Sequence, residues 1–139
     1  MGEINSYYIK VGMLGSANYG DSVKIKTKIF ELRERFGKRL IILSGGEKYG
    51  AERFVKHHAL SFDIKYHEYN SAGTPKNSYS MMYDSYYGKP WHATQYYHRT
   101  NQIIKESDIV VVFARERDSR QEYIEVRCKK LQKKLYVLD

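Results

Sequence analysis

Three short stretches carry the side chains best suited to chemistry. Gly15-Ser16-Ala17-Asn18 joins a glycine, which lets a ligand approach the backbone, to a serine and an asparagine that can donate hydrogen bonds. Ser44-Gly45-Gly46-Glu47-Lys48-Tyr49-Gly50 is glycine-rich and opens directly into a helical pattern. Unpaired N–H groups and the positive dipole end of such a helix suit a phosphate, and the same spacing equally fits a turn that merely needs positive φ. Ala114 to Gln121 gathers Arg115, Arg117, Ser119 and Arg120. These arginines pair with phosphate or a carboxylate in one reading and form a surface loop balanced by Glu116 and Asp118 in the other.

Glu122 and Glu125 stand one turn apart at the start of the last helical pattern, where carboxylates also complement the positive end of the helix. Cys128 falls on the apolar face of that helix and reads as a small buried hydrophobe rather than a nucleophile. The histidines, His57, His58, His67, His92 and His98, show no ligand spacing with a nearby carboxylate, so no metal is expected, and no cofactor. A lone cysteine makes neither an internal disulfide nor a zinc site, which fits a reducing, cytoplasmic setting.

For these stretches to meet, the chain must bring them to one edge. Tyr7 to Leu14 reads as a strand ending in Gly15-Ser16, followed by a helix with Ile25, Ile29, Leu32 and Phe36 on one face. Gly37 stops it, and Arg39 to Leu43 is a continuous apolar run of the kind buried on both faces of a parallel sheet. Ala51, Phe54, Val55, His58 and Ala59 give a second helix, and Ile64 to Tyr69 a third strand. Residues 94 to 106 read as a helix with Tyr97, Thr100 and Ile104 on one side and Ile103 nearby. Ile109 to Phe113 and Leu135 to Leu138 follow as strands, separated by a helix burying Ile124, Cys128 and Leu131. This alternation predicts an α/β three-layer sandwich with a mainly parallel five-stranded sheet, in which every strand-to-helix turn emerges on the same edge. From Asn70 to Ala93 neither period holds, and Gly73, Pro75, Gly88 and Pro90 punctuate a long tyrosine-rich loop, read as a lid or an oligomer contact.

The 139 residues fit one domain, and 42% hydrophobic with 29% charged residues gives a core together with a soluble surface. No apolar run approaches the roughly 20 residues that cross a bilayer, and the start of the chain lacks the pattern of a secretory leader. A formal charge of +8 favours polyanions, nucleic acid or a phosphorylated small molecule alike. Lys129, Lys130, Lys133 and Lys134 contribute to that charge, and a solvated helix face accounts for them.

Taken together, Gly15-Ser16, the Ser44-Gly45-Gly46 turn with Gly50 and Glu52, Arg99 ahead of the Ser107-Asp108-Ile109 to Phe113 strand, and Ser119-Arg120 after it resemble the SLOG superfamily. This Rossmann-like group includes the Lonely Guy enzymes and the DNA-processing protein A family. The resemblance covers most of the chain apart from the tyrosine-rich loop. It implies that the second turn binds phosphate, that Glu52, in place of the usual aspartate, lies beside the ligand, and that Arg99 belongs to the site. The chain departs from the pattern at Ala17 and Thr100, where arginine and asparagine are usual, and at Gln121-Glu122, where a Gly-Thr pair normally follows the serine. Nucleoside deoxyribosyltransferases, which resemble the group in architecture, place a nucleophilic glutamate at the position corresponding to Glu125.

The leading expectation is a nucleotide-type small molecule bound by Gly15, Ser16, Asn18, Ser44, Gly45, Gly46, Lys48, Gly50, Arg99, Ser119 and Arg120, with Glu52 at the ribose. One alternative is an N-glycosidase or phosphoribohydrolase in which Glu125 forms a glycosyl intermediate or stabilises an oxocarbenium ion. Another is single-stranded DNA binding, with Tyr66, Tyr69, Tyr79, Tyr83, Tyr86, Tyr87, Tyr96, Tyr97 and Trp91 supplying stacking surfaces. Those rings equally serve to pack the loop onto the domain or onto a second copy of the chain in a homo-oligomer.

Overall fold

A computed structural model of the chain describes residues 7–70, 75–87 and 93–139. Its elements alternate as expected: β1 (Ile9–Gly15), α1 (Ser22–Phe36), β2 (Leu40–Ser44), α2 (Ala51–Ser61), β3 (Lys65–Glu68), α3 (Asp84–Tyr87), α4 (Ala93–Glu106), β4 (Ile109–Phe113), α5 (Ser119–Lys130) and β5 (Lys134–Leu138). The five strands form one sheet in the order β3-β2-β1-β4-β5, and every neighbouring pair is parallel. The chain winds outward from β1 through β2 to β3, then returns to β4 on the other side of β1. A Rossmann-like sheet is the result, with its topological switch between β1 and β4.

Two apolar layers sandwich the sheet. Ile25, Ile29 and Leu32 of α1 and Val55 and Ala59 of α2 pack on Val11, Met13, Ile42 and Val111. Ile103 and Ile104 of α4 and Ile124 and Cys128 of α5 cover Leu14, Ile41, Leu43, Val110 and Val112 on the opposite face. Neighbouring strand residues thus feed opposite layers, which is why Leu40 to Leu43 is apolar without a break. Gly12 lets α4 close on β1: a Cβ there would lie 2.4 Å from the Ser107 hydroxyl and 3.0 Å from Ile103.

Caps fix the helix ends. The Asp21 side chain accepts from the Lys24 N–H at 3.0 Å to open α1, and Asp118 accepts from the Gln121 N–H at 2.8 Å to open α5. The last helix therefore starts at Ser119, earlier than its apolar period suggests, and turns Ser119, Arg120 and Gln121 from loop residues into helical ones.

The tyrosine-rich stretch has local order where it is described. Ser80 makes an isolated parallel bridge with Glu68, supported by Glu68 N–H to Tyr79 carbonyl and Met81 N–H to Glu68 carbonyl bonds of 2.8 Å each, and α3 follows. Tyr86 is fully buried against the α4–α5 layer, and the Tyr66 and Tyr79 rings pack edge to face 5.6 Å apart. No described helix is long and apolar enough to cross a membrane.

Candidate functional site

A cleft of about 310 Å³ opens at the switch point between β1 and β4. Gly15, Val112 and Ala114 form its base, Ser16, Ala17 and Asn18 one side, and Tyr96 of α4 with Asp118, Arg120, Gln121 and Ile124 the other.

The first turn is rigidly placed. Ser16 N–H donates to the Phe113 carbonyl at 3.1 Å, and its own carbonyl accepts from Ala51 N–H at 3.1 Å, joining β1, β4 and the start of α2. A Cβ at Gly15 would come within 2.5 Å of the Ala51 Cβ and 2.6 Å of the Phe113 carbonyl oxygen. Gly50, at φ +73°, brings α2 against the carbonyls of Ser16 and Ala17, where a Cβ would sit 2.3 and 2.5 Å away. The Ser16 hydroxyl and the Asn18 side chain hydrogen-bond each other.

Across the cleft, the Arg120 guanidinium lies 4.1 Å from the centroid of the Tyr96 ring. Burial pushes the Tyr96 hydroxyl up to about 12, Glu52 adds to the rise, and Arg99 and Arg120 oppose it, so the phenol stays neutral. Asp118 already occupies a donor at the α5 N-terminus and brings a carboxylate to the cleft beside the Arg120 cation. One charge of each sign suits a polar, hydrogen-bonding ring system better than an isolated polyphosphate.

The glycine-rich second turn closes over a separate cluster of interior charges. Arg99, 1% exposed, pairs with Glu47, lies 3.8 Å from Glu52, donates to the Tyr69 carbonyl at 3.4 Å and sits 5.0 Å from the Tyr96 ring centroid. A Cβ at Gly45 would fall 1.7 Å from Arg99 Nη1 and 2.5 Å from Glu52 Oε1. At Gly46, φ +69°, it would fall 2.3 Å from the Glu68 carboxyl carbon. These two glycines make room for arginine and carboxylate side chains of the protein itself.

Burial drives the Glu52 carboxyl up to about 7; Arg99 pulls it down, Glu47 pushes it up, and backbone amides of Gly15 and Glu47 favour the charged form. Glu52 Oε1 and Arg99 Nε are buried with no hydrogen-bond partner among the described residues. Burial also works against the Glu68 charge, but hydrogen bonds from Asn77, Lys56 and Tyr66 outweigh it and hold this carboxyl below its usual range. Glu68 thereby pins residues 77 to 80 to the end of β3, through Asn77 at 2.7 Å and the Ser80 bridge.

Gly15, Ser16, Asn18 and Arg120 thus come together at the cleft. Ser44 turns its hydroxyl to the Met13 carbonyl at 2.8 Å and braces β1 to β2. Gly45, Gly46 and Arg99 belong to the interior cluster with Glu52, Lys48 is exposed, and Ser119 faces an outer groove with Tyr97 and Tyr123. Glu125 is not among the residues lining the cleft: Arg117 donates to it at 2.7 Å and Gln121 at 3.0 Å. Glu52 and Glu125 therefore have different surroundings and share no partner among the described residues.

Tyr96, Asp118 and Gln121 also line the cleft: Tyr96 is one of the rings the sequence offers for stacking, whereas Asp118 and Gln121 are not among the expected ligand-binding residues. Asp118 and Gln121, three residues apart, do carry a helix-start pattern that could have placed them. Of the loop tyrosines described, Tyr66, Tyr69 and Tyr86 are buried and Tyr83 is 49% exposed, while Trp91 and His92 lie outside the described residues. Among the described residues no group of three His, Cys, Asp or Glu side chains is arranged to hold a metal ion.

No family model matches the sequence, and no curated protein matches it. Among solved structures the chain is similar to the single-stranded-DNA-binding DNA processing protein A from Helicobacter pylori, with 20% identity and a TM-score of 0.71 over 94% of this chain and 65% of that one. It is also similar to the Moco Carrier Protein from Chlamydomonas reinhardtii, with 13% identity and a TM-score of 0.62 over 94% of this chain and 76% of that one. This chain therefore spans less than two thirds of the first of these. The likeness is one of fold, and the α/β, Rossmann-like architecture expected from the sequence is the architecture of this chain.

Proposed function

We propose that this SLOG-like domain binds a nucleotide-derived small molecule, with the nucleoside portion in the cleft between β1 and β4. The observation that carries the reading is the opposition of a flat cationic wall, Arg120 over Tyr96, to the polar turn Gly15–Asn18 at the switch point of a parallel sheet. A planar base stacks against such a wall, and the turn offers amide and hydroxyl groups to a sugar. A cleft of about 310 Å³ is at the lower end of ligand pockets, the size of one nucleoside rather than a dinucleotide. Phosphates would extend toward solvent, where Arg115 is exposed in the turn between β4 and α5.

The test is retention. The purified chain is incubated with pooled nucleosides, nucleotides, dinucleotides and cyclic forms, and retained and released compounds are followed by mass spectrometry. One compound kept unchanged supports the reading, and retention of none refutes it. Free base or ribose phosphate in the released fraction would instead favour N-glycosidic cleavage, and then Glu125→Gln must abolish release while leaving binding in place.

A second reading, single-stranded DNA binding, is favoured by the net charge of +8 and by the likeness in fold to DNA processing protein A. It requires affinity for oligonucleotides that falls steeply with salt. Absent or salt-insensitive binding removes it.

A further inference from the structure

Gln121 lines the cleft from the first turn of α5, is only 9% exposed, and has its two amide ends in different circumstances. Nε2 donates to Glu125 Oε2 at 3.0 Å, whereas Oε1 is buried with no hydrogen-bond partner among the described residues. Chemistry fixes this orientation, because an ionised carboxylate only accepts and so the NH₂ end must face Glu125. Glu125 is held in turn by Arg117, whose Nη1 donates to Oε1 at 2.7 Å. A chain of three side chains therefore ends, in a residue that lines the cleft, in a buried carbonyl oxygen that can only accept.

The other polar groups there are committed differently. The Ser16 hydroxyl donates to Asn18 Oδ1, one oxygen of the exposed Asp118 carboxylate accepts from the Gln121 backbone, and Arg120 has donors alone, which leaves Gln121 Oε1 as the buried acceptor. A buried acceptor without a partner is costly to the fold, so a ligand that donates to it gains more than an ordinary surface hydrogen bond provides.

We propose that Gln121 determines specificity in this cleft: its Oε1 accepts one hydrogen bond from an N–H or O–H of the ligand, an exocyclic base amine or a ribose hydroxyl. Glu125 is the positioning residue that keeps the amide from turning over. The inference rests on the nucleoside-binding reading of the cleft and adds to it the polarity of one contact.

Matched nucleosides test it by calorimetry on the full chain. Adenosine against purine riboside, guanosine against inosine, and cytidine against pyrimidin-2-one riboside each delete a base amine; adenosine against its 2′-deoxy and 3′-deoxy forms deletes a sugar hydroxyl. The wild type is expected to favour the donor-bearing member of at least one pair by about 10-fold, and the pair that responds says whether the donor is on base or sugar. Gln121→Met, of similar length and without the acceptor, is expected to bring that pair to equal affinity. Glu125→Gln frees the amide to rotate and is expected to shrink or reverse the same preference, a change that loss of structure alone would not produce. It also carries the test if Gln121→Met fails to fold. Equal binding of both members of every pair, or a preference that survives both substitutions, overturns the role of Gln121 and leaves the nucleoside reading standing. Failure of every nucleoside to bind overturns both.

Discussion

Replacing Glu52 by glutamine tests whether the interior charge cluster carries the electrostatic load that its geometry implies. Glu52 is 1% exposed, its Oε1 has no hydrogen-bond partner among the described residues, and its carboxyl is pushed from the ordinary 4.5 to about 7, by burial first, with Arg99 opposing. Each tenfold change in proton affinity corresponds to about 1.4 kcal/mol, so keeping this carboxylate charged in the folded state costs about 3 kcal/mol. The direction follows from proton counting. Between 4.5 and about 7 the folded chain still holds the proton that the unfolded chain has released. Stability therefore falls as pH rises through that window and levels off above it. Glutamine cannot titrate. Urea unfolding of wild type and Glu52→Gln across a pH series should give a stability difference that moves against the wild type by about 2 to 3 kcal/mol from about pH 5 to pH 8. His58 and His67, whose protonation burial disfavours, titrate in both proteins and cancel in the difference. A difference that stays flat with pH would refute the reasoning, because Glu52 would then ionise as readily inside the fold as outside it.

Gly45→Ala is expected to destabilise the fold by about 1 to 3 kcal/mol or more in the same urea assay, since its Cβ would fall 1.7 Å from Arg99 Nη1 in a packed interior; a change within error would mean that the Arg99 side chain relocates freely. Asp118→Ala should cost about 1 kcal/mol by removing the α5 cap, and Asp118→Asn should recover most of it; equal losses in the two variants would show that charge, not capping, is what Asp118 contributes. Arg120→Ala should leave the melting temperature nearly unchanged, since the side chain is exposed, and weaken retention of the cleft ligand several-fold; unaltered retention would place the ligand elsewhere.

The sheet and its connections are legible because they rest on local patterns. Leu40 to Leu43 is apolar at every position, as a strand covered on both faces must be, and Ile25, Ile29 and Leu32 repeat at helical spacing. What was not legible depends on polar groups inside and on distant partners. On α4 the apolar period selects Tyr97, Thr100 and Ile104 with Ile103 nearby; the buried face keeps Thr100, Ile103 and Ile104, adds Tyr96 and Arg99, and leaves Tyr97 half-buried. A buried arginine does not register in a hydrophobic pattern, and Arg99 finds its place only because Glu47 and Glu52 arrive from another turn. The glycines of the second turn were ambiguous for a related reason, since spacing cannot tell a glycine that admits a ligand from one that admits a side chain of its own protein. Pairing of Ser80 with the end of β3 is non-local and leaves no period to read.

Gln121 illustrates the opposite case. In the sequence it stands out only as a departure from the Gly-Thr pair usual in the SLOG pattern. In the fold its side chain occupies the cleft wall, where a glycine would leave no side-chain acceptor.

The most direct test of the central claim is amide chemical-shift mapping by NMR with the compound that the retention experiment recovers. Ser16, Asn18, Arg120 and Gln121, which line the cleft, should shift together and saturate with one dissociation constant. Lys48 and Tyr49 on the exposed part of the second turn should move little. Shifts centred on Lys48 and Tyr49, with the cleft residues unmoved, would contradict the account and return the ligand to the glycine-rich turn.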